Sequence, residues 1–132
     1  MQKAKRYGST LSARGARKAA EFVKFCDAFE IPVLTLTNVN GFKATVCGEK
    51  MMAKSVGALV HAFADATVPK VNVVIGKAFG TAYTAMNSKA IGADMVYAWE
   101  NAEIGMMDAD LAAKIMYAGD DAAALTEKAA EY

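Results

Sequence analysis

The chain has 132 residues, of which 55% are hydrophobic, and its formal net charge is +1. This length supports one domain with a core of its own. No apolar run reaches the length of about 18 residues that a transmembrane helix requires. The near-neutral charge, without aromatic residues among the basic ones, argues against a nucleic-acid partner. We therefore expect a single domain over residues 1–132, with no membrane insertion and no nucleic-acid binding.

Cysteine and histidine usage bears on the compartment and on metals. Cys26 and Cys47 lie far apart and match no metal-ligand spacing. A single histidine, His61, cannot complete an ordinary zinc site. The basic N-terminus is not followed by the apolar segment of a secretory signal. Because free thiols fit a reducing compartment best, we expect a cytoplasmic protein. Because the sequence has no metal-ligand spacing, we also expect no bound metal.

Charge is distributed unevenly along the chain. Residues 1–24 carry seven basic residues against Glu21, whereas residues 100–132 carry eight acidic residues against Lys114 and Lys128. This polarity allows two interpretations. It helps subunits to associate or attracts an anionic ligand, or it marks two solvated helical faces.

The first half of the chain predicts a helix and then a strand. Ser12 is a candidate N-cap, and apolar residues recur at three- and four-residue spacing from Ala16 to Phe29. Ile31-Pro32 ends this helix because a residue before proline avoids the helical region. We expect a strand at Val33–Thr37 and a turn-rich segment at residues 38–42.

A second helix is predicted from about Glu49 to Thr67, after a loop at residues 43–48. Its apolar stripe includes Leu59 and Phe63. His61 lies in this helix without a neighbouring carboxylate or serine in the sequence, which favours a structural histidine over a catalytic one.

The second half contains a short β-branched segment, Val71–Ile75, which predicts a buried strand. An alanine-rich helix is expected from Gly80 to a C-cap near Gly92. The remaining predictions are strands at Met95–Trp99 and Ala102–Met106, a helix from Asp108 to about Tyr117, and a last helix over residues 122–132 capped by Asp120 and Asp121.

Helices and strands therefore alternate, which predicts an α/β domain with a parallel sheet. Ligands of such folds collect beyond the carboxyl ends of the strands. Two of these ends are marked by small and polar residues, at Asn38–Phe42 and at Lys77–Tyr83.

The turn at Gly80 allows two interpretations. It is a tight strand-to-helix connection only, or it presents unpaired helix amides to an anion or to an oxyanion that develops during a reaction. It is not a nucleotide-binding loop, because neither a P-loop nor a Gly-x-Gly-x-x-Gly run is present.

Several segments resemble a known family in the same order along the chain. They are Arg17–Asn38, Gly41-Phe42, Gly57–Leu59, Ala62–Lys70, Lys77–Gly80, Ala82-Tyr83 and Tyr97–Trp99. They are similar to the C-terminal, biotin-side half of the carboxyltransferase subunit of biotin-dependent acyl-CoA carboxylases and decarboxylases, of the methylmalonyl-CoA or propionyl-CoA type. The resemblance implies a crotonase-like fold, a spiral of strand–strand–helix units, here with its last helices incomplete.

The resemblance also implies a reaction, cofactors and partners. A carboxyl group would move between carboxybiotin, on a biotin carboxyl carrier protein, and a short-chain acyl-CoA. The acyl-CoA would be held mainly by an N-terminal carboxyltransferase domain or subunit, in a trimer or a hexamer. The backbone amides of Thr81 and Ala82 would form the oxyanion hole, and Gly41, Phe42, Gly80, Tyr83 and Thr84 would line the pocket.

This sequence departs from the family pattern near the predicted pocket. Thr81 stands where the family usually has its second glycine, so a β-branched side chain narrows the approach to the amide. Gly76 stands where an arginine is common, and Asn40 replaces a proline. These departures keep a second hypothesis open, in which the chain is a non-catalytic assembly module of a truncated or split subunit.

A third hypothesis is a stand-alone enoyl-CoA hydratase or isomerase. Such enzymes use glutamates near the acyl-CoA, and Glu49 and Glu103 are the candidates. Neither lies in a recognisable motif, and each is also explained as a surface carboxylate.

Overall fold

The computed structural model describes residues 9–117, together with Thr126 and Ala129. The strands are β1 (Thr10–Leu11), β2 (Val33–Val39), β3 (Gly41–Phe42), β4 (Lys70–Phe79), β5 (Met95–Ala98) and β6 (Glu103–Gly105). The helices are α1 (Ala13–Ala28), α2 (Val46–Asp65), α3 (Gly80–Thr84) and α4 (Ala109–Met116), with a 3-10 turn at Lys89–Ile91. The helix predicted over residues 122–132 lies outside the described residues.

Strand β4 is the centre of the larger sheet. It pairs with β2 on one side, and on the other side with β5 and, nearer its carboxyl end, with β6. A second, two-stranded sheet pairs β1 with β3. Every one of these pairings within the described part of the chain is parallel. The prediction of an α/β domain with a mainly parallel sheet is therefore confirmed.

The core lies between one face of this sheet and the packed helices α1 and α2. Val33, Thr37 and Val39 of β2 are buried while Leu34 and Leu36 are exposed, as strand alternation requires. Most of the predicted apolar positions of the two helices line the core, since Ala16, Ala20, Val23, Cys26, Leu59 and Phe63 are buried. The prediction was wrong for Phe29, which follows α1 and is 64% exposed. Burying a side chain such as Leu59 contributes about 2 kcal/mol.

Both long helices begin at side-chain caps. Ser12 Oγ accepts a hydrogen bond from the Gly15 amide at 3.1 Å, which confirms the predicted start of α1. Thr45 Oγ1 accepts one from the Gly48 amide at 3.0 Å. Helix α2 therefore starts at Val46 rather than at Glu49, and the predicted loop over residues 43–48 was too long.

Strand β4 is longer than the predicted Val71–Ile75. It continues to Phe79 because residues 77–79 pair with β6 and the Lys77 amide donates to Asn38 Oδ1 at 3.1 Å. A Cβ at Gly76 would lie 2.9 Å from that same oxygen, so a larger residue here would displace the Asn38 side chain. The turn is thus confined to Gly80.

The predicted helix from Gly80 to Gly92 was wrong in length. Helix α3 ends at Thr84, and Asn87 then adopts a left-handed conformation with φ 58°. The Ser88 hydroxyl donates to the Thr84 carbonyl at 2.9 Å, which satisfies a carbonyl at the helix end. Gly92, with φ 105°, instead ends the 3-10 turn, so the predicted C-cap is confirmed for a different element.

The segment at residues 38–42 was predicted as a turn but contains strand residues. Val39 belongs to β2, and Gly41 and Phe42 pair with Thr10 and Leu11. The sequence analysis did not identify β1, because two residues are too few to show a period.

Other surface features follow the sequence analysis. Within the described residues, Arg14, Arg17, Lys18 and Lys24 are exposed, and no helix is long and apolar enough to cross a membrane. His61 is exposed. Cys26 is buried and Cys47 exposed, and both thiols are free.

Candidate functional site

The candidate site begins at the junction between β4 and α3. Gly80 has φ +61°, a conformation that costs other residues about 1–2 kcal/mol. A Cβ at this position would also lie 3.2 Å from the carbonyl oxygen of Met106. Both the backbone conformation and the approach of Met106 therefore require glycine. The first turn of α3, which includes Thr81 and Ala82, leaves its amides without acceptors inside the helix.

An open cavity of about 330 Å³ lies against this first turn. Gly80, Thr81 and Ala82 form one wall, and Gly41 and Phe42 form the opposite one. Gly41 has φ +147° and nothing within 4 Å of the place where a Cβ would be, so its backbone faces open space. The two carboxyl ends predicted to collect a ligand thus meet at one cavity.

A second open cavity, of about 490 Å³, also borders Thr81. Tyr83, Thr84, Ile104 and Gly105 line it. Gly80, Thr81 and Met106 line both cavities. The structure therefore places all seven predicted site residues along these two cavities, which share Thr81 and Met106.

The Lys77 side chain forms an ion-pair cluster beside the first cavity. Its Nζ lies 2.6 Å from Asp108 Oδ2 and 3.4 Å from Glu103 Oε2, and 5.6 Å from the centre of the Phe79 ring. The hydrogen bond from Lys77 holds the pKa of Asp108 below its ordinary value. The same bond raises the pKa of Lys77. Both groups are therefore charged at neutral pH, and together they join β4 to the start of α4.

The family model described as a carboxyl transferase domain matches residues 1–131. The chain belongs to the carboxyl transferase domain family. It is 44% identical over 129 residues to the methylmalonyl-CoA carboxyltransferase 12S subunit of Propionibacterium freudenreichii subsp. shermanii, covering 92% of this chain and 25% of that protein. It is 45% identical over 125 residues to the propionyl-CoA carboxylase beta chain of Roseobacter denitrificans, covering 92% and 24%.

The solved structure of a transcarboxylase 12S subunit shares this fold. Its TM-score is 0.91 at 41% identity, over 99% of this chain and 26% of that one. The carboxyl transferase domain described here is thus a crotonase-like α/β domain, as the sequence resemblance implied. It spans about a quarter of the length of these relatives.

One wall of the site in this carboxyl transferase domain was not predicted from the sequence. Met106, Met107, Asp108 and Leu111 line the first cavity, although Asp108 was predicted only as a helix cap. That cap is confirmed, since Asp108 Oδ1 accepts a hydrogen bond from the Asp110 amide at 3.3 Å. The predicted strand at Ala102–Met106 could have indicated this wall, because its carboxyl end lies beside that of β4.

The glutamates proposed for a hydratase lie outside both cavities. Glu49 is exposed in the first turn of α2, and Glu103 is exposed and paired with Lys77. Neither is among the residues that line these two cavities. The geometry therefore gives no support to the hydratase hypothesis.

Proposed function

We propose that this chain is the biotin-side part of an acyl-CoA carboxyltransferase. It would act on carboxybiotin and a short-chain acyl-CoA such as propionyl-CoA. The observation that carries the proposal is the meeting of α3 and the Gly41–Phe42 strand end at one cavity that needs glycine at Gly80. The names of the relatives support the substrate class, since they are carboxylase and carboxyltransferase subunits for propionyl-CoA and methylmalonyl-CoA.

The first cavity suits the ring of biotin. Its mainly apolar walls include Phe42, Met106 and Leu111. Thr81 and Ala82 also line it, as do the polar residues Asn40 and Asp108. Phe42, Met106 and Leu111 would hold the ring of carboxybiotin, which would supply the carboxyl group, and the amides of Thr81 and Ala82 would face the oxygen that becomes negatively charged as that group leaves. Backbone amides at a helix start stabilise such charge without a general base, and losing one donor of this kind costs about 10²–10³ in rate.

The second cavity is proposed for the acyl end of the reaction. Thr84 and Tyr83 line it together with Ile104, so these side chains would contact the acyl chain and influence its choice. Thr81 and Met106 line both this cavity and the first one. This arrangement would place the two reacting groups next to one residue pair.

The proposal includes partners, because the site is open on this chain. Ile104, Met106 and Leu111 beside the cavities are 53%, 83% and 50% exposed. Apolar side chains at this exposure commonly mark an interaction surface. We assign it to an N-terminal carboxyltransferase domain or subunit, in a homo- or hetero-oligomer that a biotin carboxyl carrier protein visits. The free thiols support a reducing, cytoplasmic location.

The same exposed residues support a second candidate, a non-catalytic assembly module. In that case the apolar surface would bind the partner, but Thr81 would block access to the amides. The two candidates predict the same complex and differ only in turnover.

The test mixes this chain with an acyl-CoA-binding partner domain and measures carboxyl transfer from carboxybiotin to propionyl-CoA. We expect a larger complex by light scattering and a rate above that of the partner alone. A complex without any gain in rate would favour the assembly module. No complex and no gain would overturn both.

A further inference from the structure

A row of buried polar side chains crosses the sheet beneath α3. Thr37 on β2, Asn72 on β4 and Asn87 after α3 are all 0% exposed. The Thr37 hydroxyl donates to Asn72 Oδ1 at 2.6 Å. Buried polar groups in an apolar core are generally hydrogen-bonded, so we expect the polar atoms of these three side chains to have hydrogen-bond partners.

The register of the sheet brings the two asparagines together. Thr35 lies directly opposite Asn72 in the β2–β4 ladder. Asn87 Nδ2 donates to Thr35 Oγ1 at 3.2 Å and to the Val71 carbonyl at 3.4 Å. Because Asn87 bonds the cross-strand partner of Asn72 and the residue that precedes Asn72, the two side-chain amides occupy the same part of the core.

Each amide keeps one buried group without a partner among the described residues. The group on Asn72 is Nδ2, a donor, and the group on Asn87 is Oδ1, an acceptor. Leaving either of them unbonded costs its full desolvation penalty. The pair is complementary, and exchanging the N and O positions of one amide alone would leave two like groups instead.

We propose that one internal water molecule joins Asn72 to Asn87. It accepts a hydrogen bond from Asn72 Nδ2 and donates one to Asn87 Oδ1. Internal waters typically satisfy such buried groups and are costly to remove. The result is a continuous chain of hydrogen bonds from Thr37 through Asn72, the water and Asn87 to Thr35.

This chain of bonds makes Asn87 a positioning residue for α3. Asn87 follows the helix by three residues and adopts φ 58°, which asparagine tolerates better than most residues. Its amide fixes the far end of α3 to β2 and β4, while Gly80 fixes the near end. The inference concerns the scaffold beneath α3 and holds whether or not the chain transfers carboxyl groups.

The first test is the Asn87→Gly variant, because glycine keeps the left-handed backbone and removes only the amide. Asn101→Gly, at an exposed turn, is the matched control. We expect the NMR shifts of the Thr81 and Ala82 amides to change in the first variant and not in the control. A loss of global stability alone would leave native-state shifts unchanged, so unchanged shifts would overturn the positioning role.

A double-mutant cycle tests the link between the two amides. Asn72→Ala and Asn87→Gly should each raise the unfolding equilibrium constant by about tenfold. The unfolding equilibrium constant of the double variant should rise by less than the product of the two single increases. The reason is that the second substitution acts on a water bridge that the first has already broken. Independent, multiplicative losses would contradict the network.

A crystal structure of the unchanged chain tests the water without any variant. We expect a water peak within hydrogen-bond distance of both Asn72 Nδ2 and Asn87 Oδ1. A direct amide–amide hydrogen bond, or a different partner for Asn87 Oδ1, would overturn the water.

Discussion

The two ends of β4 serve different purposes. At the amino end, Lys70 is buried, and its ammonium group, its backbone amide and its carbonyl each form a hydrogen bond. At the carboxyl end, Gly80 is held in a left-handed conformation and borders two open cavities. The polar groups at the amino end of β4 are thus hydrogen-bonded, whereas its carboxyl end borders open cavities.

The amino end gathers the ends of three elements around Lys70. Its Nζ donates to the carbonyls of Phe63 and Ala66 at 2.9 and 2.6 Å, and so caps the end of α2. Its backbone amide donates to Asp94 Oδ2 at 2.7 Å. Nearby, the Thr67 amide donates to Asp27 at 2.7 Å and lowers the pKa of Asp27. These bonds stabilise the fold at the amino end of β4.

The carboxyl end has exposed apolar side chains and helix amides without a side-chain cap. Its rim includes Met106 and Ile104, both exposed, and its first helix turn has no side-chain cap. The hydrogen-bonded side chains gather at the amino end of β4, and the proposed binding surface lies at its carboxyl end. Variants at the two ends should therefore separate folding from function.

The largest effect on folding is expected from Lys70→Met, which keeps the aliphatic stem and removes the ammonium. Two buried carbonyls at the end of α2 lose their partner, so unfolding should become easier by roughly 3 kcal/mol. Urea denaturation measures this loss. Lys54→Met, on the exposed face of α2, is the control and should change stability by less than about 0.5 kcal/mol. Equal losses in both variants would contradict the capping role.

At the other end, Gly80→Ala should cost roughly 2 kcal/mol, from the left-handed conformation and the contact with the Met106 carbonyl. Carboxyl transfer by the mixed complex should fall further than stability does, because α3 would shift. Gly57→Ala is the matched control. Gly57 lies in α2 with nothing within 4 Å of its Cβ position, and alanine there should stabilise by about 0.5–1 kcal/mol. A fully active Gly80→Ala complex would exclude α3 from the site.

The contrast between the two ends was only partly predictable from the sequence. Apolar periodicity located α1, and the Ser12 cap fixed its start. β-branched residues located the core of β4. The role of Lys70 was hidden, because its bonds go to backbone carbonyls that come together only in the folded chain.

The candidate site shows the same limit. Gly80 and its neighbours were predicted from the strand–glycine–helix pattern and the family resemblance. The Met106 wall was missed, because it depends on β6 pairing with β4 across a gap of about two dozen residues. The early end of α3 was missed as well, since local propensity favoured a longer helix and the bonds of Asn87 overruled it.

A smaller effect is expected from Asp108→Asn, which breaks the ion pair beside the first cavity but keeps a good N-cap. The pKa of Asp108 is lower in the folded protein than its ordinary value of 3.8. The ion pair therefore stabilises the fold fully at pH values above 3.8, and this stabilisation is lost as the pH falls through the folded pKa. The stability difference between wild type and variant should therefore be present at pH 6 and vanish at strongly acid pH. Lys77→Met should remove the same pH dependence. A difference that persists in acid would assign it to capping instead.

The smallest effect on stability is expected from Thr81→Gly, since Thr81 is exposed and lies in a first helix turn that packs little. The loss should be about 0.5 kcal/mol, from helix propensity alone. If the amides of Thr81 and Ala82 bind the reacting oxygen, removing the β-branched side chain should raise carboxyl transfer by the mixed complex. Thr81→Val keeps the branch and should give no gain. If Thr81→Gly forms the same complex by light scattering but leaves transfer absent, the carboxyl end of β4 serves assembly rather than catalysis.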